Sequence, residues 1–224
     1  MTATAENGEL EAARERLMQE IARDARETAM LTGRETIAPG VMAAMRAVPR
    51  HEFAAFPSLR DAWANAPWPI GQGQTISQPF IVALMTDLLD PAPDHEVLEI
   101  GTGCGYQAAV LSRVVRRVRS IEVVPELARE AAARLARLGY DNVEVRAGDG
   151  ASGWPEAAPH DGIIVTAAAR EVPQALVGQL KPGGRLVIPV GRPWSGQDLV
   201  VVSRADDGEI RRQRVLPVAF VPMT

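Results

Sequence analysis

The sequence predicts an α/β protein built on a doubly wound, mostly parallel sheet, with an antiparallel C-terminal hairpin and an N-terminal helical extension. Three observations carry that expectation. From residue 96 onward short apolar runs alternate with helical stretches, the pattern of a parallel sheet covered on both faces. The first run, "EVLEI", ends in the glycine-rich turn "GTGCG" at 101–105, where a strand hands over to a helix. Near the other end, "DLVVVSRADDGEIRRQRVL" holds two alternating segments around an Asp-Asp-Gly turn, a hairpin signal.

The elements follow in order. Residues 1 to about 9 are small and polar and read as a frayed tail. From Leu10 to Thr32 the residues Leu17, Met18, Ile21, Ala22 and Ala25 fall on one stripe at three- and four-residue spacing, so a helix is expected. A second short helix is expected over Val41–Ala47. Residues 49–79 have no sustained period and are rich in Pro, Trp, Asn and Gln; a stretch this long without regular structure is usually functional. Pro79 then opens a helix to about Leu89. After the strand "EVLEI" come the helix "YQAAVLSRVV", the strand "VRSIEV" and the helix "PELAREAAARLARLG", with proline in its first turn and glycine past its end. "NVEVRAG", "DGIIVTA", the helix "VPQALVGQL" and the strand "GRLVIPV" complete the alternation. The whole reads as one domain, 1–224, with helices in 1–50, an acceptor-side loop region in 51–80 and the α/β core in 81–224.

Composition bounds the function. The 224 residues are 46% apolar and 23% charged, with net charge −4, which gives no electrostatic footprint for nucleic acid or an anionic membrane. The cluster Arg113, Arg116, Arg117 and Arg119 reads as a solvated helix end running into a strand. One cysteine, Cys104, allows neither an intramolecular disulfide nor a cysteine-type zinc site. The N-terminus lacks a basic, then apolar, secretory pattern, and no apolar run approaches the roughly 20 residues that span a bilayer. A cytoplasmic monomer is the simplest expectation.

The turn at 101–105 is the first chemical signal. Gly101, Gly103 and Gly105 let the backbone bend and let a ligand approach it closely. The spacing differs from the dinucleotide fingerprint, and no Gly-Lys-Ser/Thr serves a triphosphate. Glu99 lies just before the turn, where a carboxylate would repel a pyrophosphate and attract an ammonium or a sulfonium. Glu122 ends the next strand, where a carboxylate can accept from both hydroxyls of a ribose. Asp149, before Gly150, is placed to accept from an adenine amino group, or else to cap the turn that follows. Together these features point to S-adenosyl-L-methionine.

The acceptor is read from what is missing. The fourth parallel strand ends in "TAAA", which offers neither an acidic cluster for a metal nor the Asn/Asp-Pro-Pro-aromatic pattern used on amines. His51, His95 and His160 read as surface or packing residues. Residues 68–80, "WPIGQGQTISQPF", carry Thr75, Ser77, Gln74 and Gln78 and no ionisable side chain. An acceptor that is already an anion needs no base: a carboxylic acid has a pKa near 4, and its reaction needs positioning and desolvation. No Gly-x-Ser-x-Gly elbow makes Ser77 a nucleophile.

With both motifs in view, the chain resembles the protein-L-isoaspartate O-methyltransferase family. The resemblance runs through "MRAVPRHEF", "PIGQGQTISQP", "VLEIGTGCGYQAAVL", "LGYDNVEVRAGDG", "DGIIVTAAA", "QLKPGGRLVIPVG" and "VAFVP". It implies a Rossmann-like methyltransferase fold and methylation of the free carboxyl of L-isoaspartyl residues, with repair through a succinimide. It further implies that Ser77 is the active-site residue, that Thr75 and Ile76 lie over cofactor and acceptor, and that Glu99, Gly101, Thr102, Gly103, Gly105, Glu122, Asp149 and Gly150 serve the cofactor. Gln197, after the "PVG" strand, is expected to approach the ligand pocket. Cys104 stands where the family usually has serine, and residues 54–68 lack some of its acidic and aromatic residues. The alternative is a carboxyl methyltransferase for a dedicated peptide, disfavoured by the short ending "FVPMT", or for a small acid. A non-catalytic binder of the cofactor would have little use for the "GQTIS" segment.

Overall fold

Five segments form the parallel heart of the sheet; the four inner ones are largely buried between helices, while the edge strand "VEVRA" has no residue fully buried. In the computed structural model, which describes residues 3–192 and 196–223 with side chains from Gly8 onward, these are β3 (Glu96–Ile100), β4 (Arg117–Glu122), β5 (Val143–Ala147), β6 (His160–Val165) and β7 (Leu180–Arg192). The strands β8 (Gly196–Arg204) and β9 (Ile210–Val218) follow antiparallel. The seven-stranded order is β5-β4-β3-β6-β7-β8-β9. Strand order reverses between β3 and β6, so the carboxyl ends of those two strands face an open crevice.

Before the sheet come α1 (Ala3–Glu27), α2 (Ala29–Thr32), α3 (Pro39–Ala47) and α4 (Leu59–Ala62). The hairpin β1 (Trp68–Gly71) and β2 (Gln74–Ile76) follows, then α5 (Pro79–Leu88). Crossovers are α6 (Tyr106–Ser112), α7 (Pro125–Arg137) and α8 (Gln174–Gly178). One apolar core joins α1, α3, α5, α6 and α7 to one face of the sheet. The other face packs Leu98, Ile100, Ile163 and Ile188 against Leu176 and Val177 of α8.

Three expectations change. Helix α1 starts at Ala3, not after a frayed tail, because the good helix formers Ala and Glu continue its pattern toward the N-terminus. It ends at Glu27, where the Thr28 hydroxyl donates to the Asp24 carbonyl at 2.8 Å, and Gly33 closes α2 in the left-handed region at φ +66. Residues 68–76 are a hairpin, not a loop: Gln72 at φ +53 and Gly73 at φ +70 supply the two left-handed residues a tight hairpin turn needs. Of the stretch "RPWSG" at 192–196, just before Gln197, residues 193–195 lie outside the described residues.

Packing places the segment 54–68 as a wall. Asn65 donates to Asp24 of α1 at 2.7 Å and accepts from the Phe80 N–H at 2.9 Å. It thus ties the start of α5 to α1. Trp63 is buried beside it, and a buried aromatic of this kind contributes on the order of 2–3 kcal/mol. Of the arginine cluster, Arg116 and Arg119 pair with Glu96, each at 2.7 Å, and Arg113 lies over Tyr140.

Candidate active site

The glycine turn is held from three sides. The Gly101 N–H donates to the Ile121 carbonyl at 2.8 Å and the Gly105 N–H to the Thr102 carbonyl at 2.8 Å. The Gly103 N–H donates to Glu122 Oε2 at 2.8 Å. Gly101 sits at φ +93, and a Cβ there would collide with the Thr166 hydroxyl. That hydroxyl reaches the carbonyls of Ile100 at 3.1 Å and Gly101 at 2.6 Å, so the end of β6 locks the end of β3.

Glu122 is buried, and its Oε1 accepts from the Val124 N–H at 3.0 Å. Each carboxylate oxygen therefore has one backbone partner and a second lone pair for a diol. Asp149 caps the turn Gly150–Ser152, its Oδ1 accepting from the Ala151 N–H at 2.8 Å; the other oxygen remains for a ligand. Gly150 is buried, and a Cβ on it would collide with Ile100. Ile100, Ile121 and Val123 make apolar walls for a flat ring, while Val221, Pro222 and Met223 close the cleft from above. Among the described residues no lysine or arginine lines this cleft. The residues fit an adenosine and offer nothing to a phosphate.

Glu99 lies behind the turn. It faces Ser120 across the parallel register, accepts a short hydrogen bond from its hydroxyl, and Ser120 in turn contacts the Thr102 hydroxyl at 2.6 Å. Burial pushes the Glu99 carboxyl up to about 8, with Glu122 adding to the shift. The structure thus brings Glu99 and Thr102 together as a buried support and leaves Glu99 out of the cleft.

A second cavity of about 450 Å³ opens beside the first, lined by Thr75, Ser77, Gln78, Ile81 and the 217–221 segment. None of its lining residues is ionisable. The helix after Ser77 has no side-chain cap, so the Ser77 hydroxyl is not spent on capping it. A smaller space, lined by Ile76, Ser77, Gly103, Cys104 and Tyr106, shares Thr75 and Thr166 with both. Gln197 is buried and touches neither cavity directly. Its amide clamps Phe220, accepting from the backbone N–H at 2.6 Å and donating to the carbonyl at 3.0 Å. His95 and His160 line none of these spaces, and His51 packs near Trp63.

Two contributors escaped the sequence reading. Thr166 borders all three spaces; only its place at the end of β6 signalled it. The segment Val221–Met223 reaches the cleft because Ala168 pairs with Pro222, a contact no local pattern announces. Among the described residues no group of three His, Cys, Asp or Glu side chains is placed to hold a metal, and no helix is long and apolar enough to cross a membrane.

The crevice at the strand-order reversal carries a buried carboxylate, Glu122, and among the described residues no lysine or arginine, a chemistry that suits S-adenosyl-L-methionine, and the chain is a methyltransferase of the kind that uses it. The family model described as protein-L-isoaspartate(D-aspartate) O-methyltransferase matches residues 28–224, and the chain belongs to that family. It is 55% identical over 213 residues to protein-L-isoaspartate O-methyltransferase 2 of Syntrophobacter fumaroxidans, covering 95% of this chain and 86% of the relative. The enzyme of the same name from Polaromonas sp. is 53% identical over 208 residues, 93% of this chain and 99% of its own. A solved protein-L-isoaspartate O-methyltransferase superposes with a TM-score of 0.82 at 29% identity, over 94% of this chain and 66% of that longer one. A Plasmodium falciparum structure, titled a complex with S-adenosyl-L-homocysteine, shares the fold with a TM-score of 0.75 at 22% identity, over 92% of this chain and 97% of that one.

Proposed function

We infer that this enzyme methylates the free carboxyl of L-isoaspartyl residues, Ser77 and Thr75 holding the acceptor while Glu122, Asp149 and Gly150 fix the adenosine of S-adenosyl-L-methionine. The methyl ester so formed cyclises to a succinimide, which starts repair of the damaged chain. The observation that carries this division of labour is the shared wall: Thr75, Thr166 and Val221 border both the cofactor cleft and a cavity with no ionisable lining.

When bound, the cofactor supplies a methyl group activated by a sulfonium. The chain's own residues do the rest. Thr75 and Ser77 can donate to an acceptor carboxylate, ionised at neutral pH, and so position it without a cation that would blunt its nucleophilicity. The apolar side chains of Ile81 and Val221 exclude water around it. Gly101, Gly103 and Gly105 shape the turn, Ile76 packs beneath it, and Glu99 with Thr102 braces it. Gln197 serves the site through Phe220. The same reading makes 1–50 a helical cover, 51–80 the acceptor side and 81–224 the cofactor-binding core of one domain, acting as a cytoplasmic monomer without nucleic acid.

Methyl transfer from labelled cofactor to paired peptides, one isoaspartyl and one aspartyl, tests this. Labelling of the isoaspartyl peptide alone is expected. Labelling of neither, with cofactor binding intact, would redirect the enzyme to a dedicated peptide or a small acid.

A further inference from the structure

Arg50 heads the fully buried side chains by size and is 0% exposed. Its Nη2 donates to the Ala66 carbonyl at 3.0 Å. Nε and Nη1 have no well-formed hydrogen bond to any described residue, the polar group they approach being the neutral Tyr106 hydroxyl, which has none either, and none of the ion pairs among those residues includes Arg50. The guanidinium lies 5.0 Å from the ring centre of Tyr106 and 5.7 Å from that of Phe56. Aromatic faces favour a cation but supply no counter-charge, and Tyr106 stays neutral because burial pushes its phenol up to about 12. An uncompensated buried charge is among the least favourable features a fold can keep.

What lies beyond the aromatic wall gives it a use. Tyr106 and Cys104 line the small space that also holds Ser77, Gly103 and Thr166. That space and the adenosine cleft share Thr75, Gly101, Gly103 and Thr166. With Glu122 and Gly150 marking the adenosine end, the amino-acid end of the cofactor falls toward Tyr106 and Cys104. That end carries an ammonium and a carboxylate. The Gly101 carbonyl, whose one partner is the Thr166 hydroxyl at 2.6 Å, keeps a lone pair that suits the ammonium. The side toward Cys104 and Tyr106 is backed by Arg50.

We propose that Arg50 is a positioning residue: the fixed cation that orients the amino-acid carboxylate of the cofactor from behind the Tyr106–Cys104 wall. This rests on the cofactor assignment above. Arg50 lines none of these spaces, so it acts through the wall as a field and not by contact, and in a setting shielded from water that field reaches an anion more strongly than it would in solvent.

The test uses ligand truncation on the full chain. S-adenosylhomocysteine and 5′-methylthioadenosine share the thioether nucleoside, but the second lacks the amino-acid end. Calorimetry should show Arg50→Gln weakening S-adenosylhomocysteine by roughly tenfold while methylthioadenosine stays within about twofold, and Arg50→Lys recovering most of the loss. Equal weakening of both ligands would overturn the proposal. So would unchanged S-adenosylhomocysteine affinity with a raised KM for isoaspartyl peptide, which would assign the cation to the acceptor. If Arg50→Gln does not fold, the parent decides: binding S-adenosylhomocysteine and its decarboxylated analogue equally well sinks the idea. Failure of the parent to bind S-adenosylhomocysteine at all would bring down the cofactor assignment, and this proposal with it.

Discussion

Gln197→Leu removes two hydrogen bonds and little volume. The amide spans the N–H and the carbonyl of Phe220 at 2.6 and 3.0 Å, and the next three residues close the cofactor cleft. Each bond contributes about 1 kcal/mol net, and the Phe220 groups left behind in a half-buried setting add to the loss, so about 2–3 kcal/mol is at stake. If that loss falls on the 217–223 segment alone, its open population rises by a factor on the order of 30 to 150. Were it felt by the whole fold, the melting temperature would drop by about 4–12 °C for a chain of this size. The assay is therefore a pair: kcat and KM for isoaspartyl peptide, and thermal melting. The expected result is a fall in kcat/KM of roughly tenfold or more, mostly through KM, with a melting shift below about 4 °C. A large melting shift with kinetics unchanged per folded molecule would show that Gln197 serves the sheet and not the segment.

The remaining predictions are briefer. Ser77→Ala should lower kcat much more than it weakens S-adenosylhomocysteine binding, by calorimetry; equal losses would contradict the separation of acceptor from cofactor. Glu122→Gln puts an amide donor against the Gly103 or Val124 N–H and should cost cofactor affinity about 10- to 100-fold, whereas an unchanged dissociation constant would remove Glu122 from the site. Glu99 has a carboxyl raised from 4.5 to about 8 by burial, so the folded state holds a proton the unfolded chain has lost, and stability falls as pH rises from 4.5 to 8. Glu99→Gln should flatten that slope and melt higher than the parent near pH 8; parallel melting curves across the range would refute it.

Legibility followed the physics of each element. The strands β3, β4 and β6 were readable because Val and Ile residues buried on both faces recur in each within a regular alternation with helices, and α7 because its stripe, proline and glycine agree. The β1–β2 hairpin was not. Its strands are four and three residues long, Pro69 argues against a strand, and Gln72 adopts a left-handed conformation that glutamine rarely takes. At the site, Glu122 and the glycine turn were legible because local spacing fixes both. Thr166 and the 221–223 segment were not, since sheet register alone carries them to the cleft. Asp149 was foreseen in two roles, and the capping one is formed. The burial of Glu99 depends on Ser120, a strand away, and no pattern near residue 99 reveals it.

Thr75, Thr166 and Val221 are walls of two rooms at once. Any ligand that stiffens or shifts those walls from one side alters the free energy of binding on the other, and the effect must be equal in both directions. With the peptide and cofactor placed as proposed, three side chains would couple the binding of one to the other.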